Sequence, residues 1–596
     1  MCGFTGCISF EEIDEIKLEK SNRHSYCRGP DNTSNTKGFQ EIYYDLWFNR
    51  LAIVDLSSKA NQPMVSDDLN SIIMFNGEIY NSKTLRDKIS KHNYKFQTSH
   101  SDTETLFAGL NIYGIEFINE IDGQFSFFYL NKLKRKIYLA RDRVGQKPLY
   151  FNMNETNISF ASNLKSILDL NNELEIDRNS VNQYLAYGAN FAPRTLFKNI
   201  YKVPSGNYIE IDYEENKFTK RNVEYWNPVS FYDDKEFKQD EFEKLFSESV
   251  AKRMIADVEI ANFLSGGIDS TSIVKNLSDL GYDVNTFSVL VGNQKYNEKK
   301  YIQNVVHKYQ TNHKEVVIDE KISSKIIKEA ISSLDEPYGD PSIVPTYYLS
   351  KLISKSYKVA ISGDGGDELL GGYYRLKNHL KKKNFLARVL SHLYSIYPSF
   401  LGTGSNLKSL QNDAFESYVS FLEDEKLLKL LGIDSLSNDL RIKTSTGISI
   451  YKKLLSLEYK FYLSDQMMFK VDRTSMSNSI EVRSPLVDHK LVEYIFSHSY
   501  KYFNLKNQKQ PLQKYLSNDF TNEFLNRPKQ GFVFDYRRWV FSNFNSIKNE
   551  IKSSQVEKYF SSKPLLNLKF FKTRINALRI WRLYVLACYL NETNES

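Results

Sequence analysis

Apolar and polar positions along the chain fall into distinct textures. Up to about residue 213, short runs rich in aromatic and β-branched residues are set between polar turns. Tyr43 to Val54 and Ser71 to Phe75 predict strands, and Gln124 to Leu130 and Lys136 to Leu139 flank the polar stretch Asn131 to Arg135 as the arms of a hairpin would. From 214 to 236 the chain is polar and charged, shows no apolar period and carries Asn227-Pro228, which predicts a linker. Beyond it, apolar runs alternate with helical periods. Glu259 to Leu264, Asn285 to Val291 and Lys314 to Ile318 are each followed by a helix, and Lys358 to Ile361 by a loop, which predicts βαβ units and a parallel sheet. From about Asn378 the period is mostly helical and includes the aromatic, Leu-rich run Ile580 to Leu590. Two domains are therefore expected, over residues 1–213 and 237–596.

Composition narrows the classes. Of 596 residues, 41% are apolar and 25% charged, so a packed globular protein is expected and disordered or fibrous classes are excluded. Lys and Arg number 79 against 72 acids, and the resulting net charge of +7 is too diffuse for a nucleic-acid footprint. The run Leu376 to Phe385, with Lys377, Lys381, Lys382 and Lys383, reads as a solvated helix face, because no aromatic stacking platform accompanies it. No apolar stretch is long enough to span a membrane and no secretory pattern opens the chain, so a cytoplasmic protein is expected. None of the nine His residues forms a metal-binding pattern. Cys2, Cys7, Cys27 and Cys588 include no CxxC pair, which leaves no disulfide or zinc framework.

Two strand-to-loop junctions carry candidate chemistry. Ser265-Gly266-Gly267-Ile268-Asp269-Ser270 follows a predicted strand and opens a helix. Its glycines let backbone N–H groups approach an anion, its hydroxyls add donors, and the helix N-terminus adds partial positive charge. The GxxxxGK[ST] spacing is missing, so this phosphate cradle is not a Walker loop. The second junction is Ser362-Gly363-Asp364-Gly365-Gly366-Asp367-Glu368, followed by Gly371-Gly372-Tyr373. In an open α/β sheet such loops converge on one crevice, where Asp269 and Asp367 would offer two carboxylates to Mg2+.

Cys2 is a candidate nucleophile. Removal of Met1 would give it a free α-amino group with a pKa of about 7.7 to 8.0, close to the thiol's value of about 8.5. One residue would then hold both nucleophile and base.

These stretches resemble known families. Ser265 to Ser270 is similar to the pyrophosphate loop of N-type ATP pyrophosphatases, and Ser362 to Tyr373 resembles a second signature of asparagine synthetases. Met1 to Gly6 looks like the opening of class II glutamine amidotransferases. Similar signatures follow at Arg28 to Asp31, Asn49 to Asp55, Gln62 to Met64, Phe75 to Asn81, Ser101 to Glu104 and Ala140 to Arg143. Further matches at Asp335 to Pro337, Lys470 to Arg473, Glu481 to His489 and Arg527 to Phe532 extend the resemblance over essentially the whole chain. It is that of glutamine-dependent asparagine synthetases.

The resemblance implies a four-layer αββα Ntn-hydrolase-type domain, then an α/β parallel-sheet ATP-pyrophosphatase domain with a helical C-terminal part. Cys2 would attack glutamine, Asn76 and Gly77 would form the oxyanion hole, and Arg50, Ile53, Glu78 and Asp102 would bind glutamine. Leu264, Val289, Ser362 and Gly363 would join the 265–270 loop in binding ATP, and Lys529 would lie near the phosphates. Ammonia released from glutamine would pass through an internal tunnel to the β-adenylate of aspartate, with ATP and Mg2+ as cofactors; a homodimer is compatible. Position 364 is Asp where better-known members carry Glu beside the acceptor. That shorter acid leaves a second carboxylate acceptor open, such as a uronic acid or a β-lactam-type precursor. The motif Glu481 to His489 also has Ser484 and Leu486-Val487 where bulkier apolar residues are usual.

Overall fold

The computed structural model describes residues 2–171, 174–291, 298–318, 323–380, 389–410, 413–434, 436, 440, 448–499, 509–527 and 534–595. Twelve strands build two antiparallel sheets in the first part of the chain. One has the order β10 (Ile200–Lys202), β8 (Tyr150–Met153), β9 (Asn157–Ala161), β1 (Cys2–Ser9), β3 (Ile42–Arg50), β2 (Asn32–Gln40). The other runs β12 (Lys217–Glu224), β11 (Asn207–Glu214), β7 (Lys136–Arg141), β6 (Gly123–Asn131), β5 (Ser71–Ile79), β4 (Met64–Val65).

Alternation along the strands sorts side chains between layers. Phe4, Ile8, Leu46 and Phe48 from one sheet meet Ile72, Met74, Phe128 and Leu130 from the other in a shared core. On the far face of the second sheet, Ile73, Phe75, Phe125 and Phe127 pack with Leu106 and Phe107 of the helix Asp102–Tyr113. The helices Glu15–Asn22 and Leu164–Leu170 pack on the outside of the first sheet. The result is the αββα stack that was expected. The predicted hairpin is β6–β7, in register from Ser126↔Arg141 to Asn131↔Lys136.

Strand β12 corrects the expected linker at 214–236. It pairs with β11 from Glu214↔Lys217 to Asn207↔Glu224 and so continues the second sheet. Being an edge strand, it buries only Phe218 among its eight residues, so it carries no apolar alternation to read.

The second part holds a parallel sheet ordered β15 (Asn312–Ile318), β14 (Asn285–Val291), β13 (Ile260–Phe263), β16 (Val359–Ile361), β17 (Glu481–Arg483). Helices follow β13, β14 and β15, as the alternation predicted. The strand order reverses at β13, whose neighbours are β14 and β16, which places a topological switch point at the carboxyl ends of β13 and β16. The C-terminal helix Arg574–Glu595 buries Trp581, Leu583, Val585 and Leu586. Among the described residues, no helix is long and apolar enough to cross a membrane.

Buried ion pairs join the two parts. Arg28 grips Asp472 through two hydrogen bonds of 2.8 and 3.0 Å. Arg473 bonds Asp335 at 2.7 Å and the Tyr150 hydroxyl at 2.5 Å, while that hydroxyl donates to Glu336 at 2.8 Å. Three of the sequence motifs thus meet in one interface.

Candidate active sites

Strand β1 brings Cys2 to the edge of a small pocket. Arg50 is its direct partner on β3, and Leu51 and Ile53 follow where that strand ends. Phe75, Gly77 and Glu78 from β5 and Asp102 at the start of its helix close the wall. Asn76 reaches Cys2 directly: its Oδ1 accepts from the Cys2 backbone N–H at 3.0 Å. All the residues expected for glutamine, namely Cys2, Arg50, Ile53, Asn76, Gly77, Glu78 and Asp102, therefore lie together.

Each is held by specific partners. Arg50 donates to the carbonyls of Ser57 and Asp55 and to Asn61 Oδ1, which fixes the guanidinium plane. The Ile79 N–H donates to Asp102 at 3.0 Å. Gln62 clamps β5 from outside, accepting from Phe75 N at 2.6 Å and donating to Phe75 O at 3.1 Å. Gly77 has no room for a side chain, because a Cβ there would stand 2.2 Å from the Gln124 carbonyl oxygen.

Burial sets the electrostatics. It pushes the Cys2 thiol above its ordinary value. It raises the Asp102 carboxyl to about 6. Glu78 is raised well above the usual carboxylate range by burial and by the Asp102 charge, against the pull of Arg483. Arg483, fully buried on β17, bonds Glu78 Oε2 at 3.1 Å and Glu481 Oε1 at 2.6 Å. Burial also acts to raise Glu481, but the cations around it outweigh that and hold it at about 2. Arg483 and Glu481 have no assigned role in the sequence reading. Their only sign there was a charged, three-residue segment inside a matched motif.

The second site is a cavity of about 410 Å3 at the switch point. From the β13 side it is lined by Leu264, Ser265, Gly267, Asp269 and Ser270, and from β14 by Val289. From the β16 side come Ser362, Gly363, Asp364 and Asp367. The loop is internally braced: Gly267 N–H donates to Ser265 Oγ at 3.2 Å, and the hydroxyls of Ser265 and Ser270 lie 3.2 Å apart. Gly266 turns the chain at φ 65°, a left-handed conformation suited to glycine, but does not line the cavity. Ser362 donates to Asp364 at 2.8 Å. Lys529 lies outside the described residues.

The two loops approach so closely that a Cβ on Gly363 would sit 2.8 Å from Asp269 Cβ. Asp269 and Asp367 are both paired with the Lys509 ammonium, at 2.8 Å for Asp367 Oδ1. One cation within reach of both carboxylates means that the two acids converge on a single point, and two carboxylates are the kind of donor set that a hard ion such as Mg2+ takes together with phosphate oxygens. Lys509, Arg527, Lys470 and Tyr373 also line this cavity, and the sequence reading assigned none of them a role. Lys509 belongs to no matched motif, so only the folded chain brings it here.

Comparison with known proteins gives a consistent result. The asparagine synthase family model matches residues 241–583, and that of the glutamine amidotransferase domain matches residues 1–226. The chain is 30% identical to glutamine-hydrolysing asparagine synthetase 1 of Bacillus subtilis (strain 168), over 95% of this chain and 92% of that one. It is 34% identical to putative glutamine-hydrolysing asparagine synthetase 2 of Methanocaldococcus jannaschii, over 66% and 81%. A putative asparagine synthetase of Mycobacterium tuberculosis (strain H37Rv) is 28% identical, over 83% and 80%.

Proposed function

The chain belongs to the asparagine synthase family, and from that premise we propose that it converts aspartate to asparagine with glutamine as nitrogen donor and ATP as driving substrate. The observation that carries this reading is the presence, in one fold, of a complete Cys2 pocket and a complete pair of phosphate loops.

In the first half-reaction the Cys2 sulfur attacks the side-chain amide carbon of glutamine. The thiol proton passes by way of the Cys2 α-amino group to the leaving nitrogen, ammonia departs, and water then hydrolyses the thioester to glutamate. Once Met1 is removed, the Cys2 nitrogen that donates to Asn76 Oδ1 becomes the α-amino group, and the resemblance assigns the Asn76 amide nitrogen and the Gly77 N–H to the developing oxyanion. Losing one such donor typically costs about 10²- to 10³-fold in rate. Arg50 suits the glutamine carboxylate, and Asp102 with Glu78 suits its ammonium.

In the second half-reaction the aspartate side-chain carboxylate attacks the α-phosphorus of ATP. The 265–270 loop and the N-terminus of the helix Ile268–Asp279 cradle the phosphates, with the adenosine between Leu264 and Val289. Asp269 and Asp367 would hold Mg2+, which supplies positive charge to the departing pyrophosphate. Lys529 is assigned the same task from the resemblance alone. Ammonia then displaces AMP from the adenylate, and Asp364, oriented by Ser362, takes the proton that the attacking nitrogen sheds.

Incubation with glutamine, aspartate and MgATP is expected to yield asparagine, glutamate, AMP and pyrophosphate. The Cys2→Ala variant should lose glutamine use but retain asparagine formation from ammonium. Release of ADP, or no asparagine from either nitrogen source, would contradict the proposal. Replacing aspartate by a uronic acid in the same assay tests the acceptor that Asp364 leaves open.

A further inference from the structure

Two carboxylates that converge in a partly enclosed pocket repel each other and require a counter-charge. Asp269 and Asp367 have side chains 15% and 16% exposed, and the chain supplies their cation from a distant segment. The Lys509 ammonium pairs with Asp269 Oδ2 and with Asp367 Oδ1, and its side chain is 10% exposed.

The surroundings are shaped to this arrangement. A Cβ on Gly372 would stand 2.0 Å from Asp367 Oδ1 and 2.5 Å from Lys509 Cε. A Cβ on Gly366 would stand 2.4 Å from Asp269 Oδ1. Lys509 itself has φ 56°, a left-handed backbone that a non-glycine residue keeps only where neighbours hold it.

We propose that Lys509 is a built-in counter-ion that stands in the metal's place between Asp269 and Asp367 while nucleotide is absent. This rests on the reading that those two acids take Mg2+. A divalent ion arriving alone must break both ion pairs and leave the ammonium without a partner. An ion arriving with a nucleotide brings phosphate oxygens that accept the displaced ammonium. Lys509 therefore makes metal binding conditional on nucleotide, acting through the two acids as a positioning residue.

Mn2+ binding, followed by the loss of the free-ion electron paramagnetic resonance signal, tests this without turnover. The nucleotide-free parent should bind Mn2+ weakly, and α,β-methylene-ATP should tighten binding at least tenfold. Lys509→Met should bind Mn2+ at least tenfold more tightly than the parent in the absence of nucleotide, whereas Lys509→Arg should stay near the parent. Equal nucleotide-free affinities in parent and Lys509→Met would overturn the proposal. Lys509→Gln, which keeps a donor but no charge, provides a second variant read in the same way. Thermal melts cover the folding question: a neutral variant folded only with Mn2+ supports the exchange of cations, and one unfolded with and without Mn2+ overturns it. Asp367→Asn separates the two readings. If it leaves Mn2+ binding in the presence of nucleotide unchanged, the metal-site reading has failed. If it weakens that binding while Lys509→Met shows no gain, Lys509 alone has been misread.

Discussion

Replacing Arg483 by Met isolates the buried charge cluster behind the glutamine pocket. The parent guanidinium is fully buried, bonds Glu78 and Glu481, and donates to the carbonyls of Arg253 at 2.9 Å and Ile255 at 2.6 Å. Methionine replaces the aliphatic stem but not the guanidinium head, so the larger part of the loss is electrostatic. Breaking a buried pair by removing one partner costs about 3 to 5 kcal/mol. Two carbonyls that lose a donor add about 1 to 3 kcal/mol each where no water replaces it. Proton uptake by Glu78 caps the total, because burial and the Asp102 charge already raise this carboxyl. We therefore expect a loss of about 3 to 5 kcal/mol at pH 8. The sign with pH follows from linkage. A carboxyl raised in the folded state favours folding while it is protonated and loses that contribution as pH rises through its folded value. The deficit should accordingly shrink between pH 8 and pH 6. Urea midpoints from tryptophan fluorescence at the two pH values measure it, and a KM for glutamine raised about tenfold, about 1.4 kcal/mol, should accompany it because Glu78 loses its anchor. An unchanged midpoint at pH 8, or a larger deficit at pH 6, would refute the reasoning.

Gly77→Ala should abolish glutaminase activity while sparing ammonium-dependent synthesis, since the added Cβ would press within 2.2 Å of the Gln124 carbonyl at the pocket wall; comparing the two nitrogen sources reads this. Asp102 must be ionised to hold an ammonium and sits at about 6, so the KM for glutamine should rise as pH falls below about 6. A KM that stays flat from pH 7 to pH 5 would remove Asp102 from that role. Gly372→Ala should do the reverse of Gly77→Ala, because its Cβ would displace Asp367 and Lys509: ATP cleavage falls and glutamine hydrolysis persists.

What was legible from the chain depended on how much of each feature is local. β13 and β16 show as apolar runs, and the glycines after them mark turns, so the crevice and its two loops could be placed from the pattern, while Val289 came from the resemblance. The αββα stack of the first part and its glutamine pocket came from motif resemblance, since alternation marks strands but not which sheet they join. β12 escaped because an edge strand that buries one side chain has no face to encode. β17 escaped for the opposite reason. It is three residues long and wholly buried, but its ends are charged, and their burial is tolerable only because Arg483 finds Glu78 and Glu481 in the folded chain. Lys509 was invisible for a related reason, as its partners lie 240 and 142 positions away in sequence.

β17 also shows why these polar groups are buried at all. The Arg483 side chain leaves the strand toward Glu78 in the Cys2 pocket, while its backbone carbonyl accepts from the Ser362 N–H at 2.9 Å. Ser362 in turn donates to Asp364 at 2.8 Å, and its hydroxyl lies 3.1 Å from that of Ser484, the next residue along the chain from Arg483. An apolar residue at 483 would pack without the desolvation cost of a buried ion pair, and such replacements are often neutral or stabilising when both partners change. Here one partner, Glu78, lines the Cys2 pocket, and under the proposed function it is not free to change. The cation at 483 is therefore dictated by the first site, its backbone register by the second, and a single three-residue strand has to satisfy both.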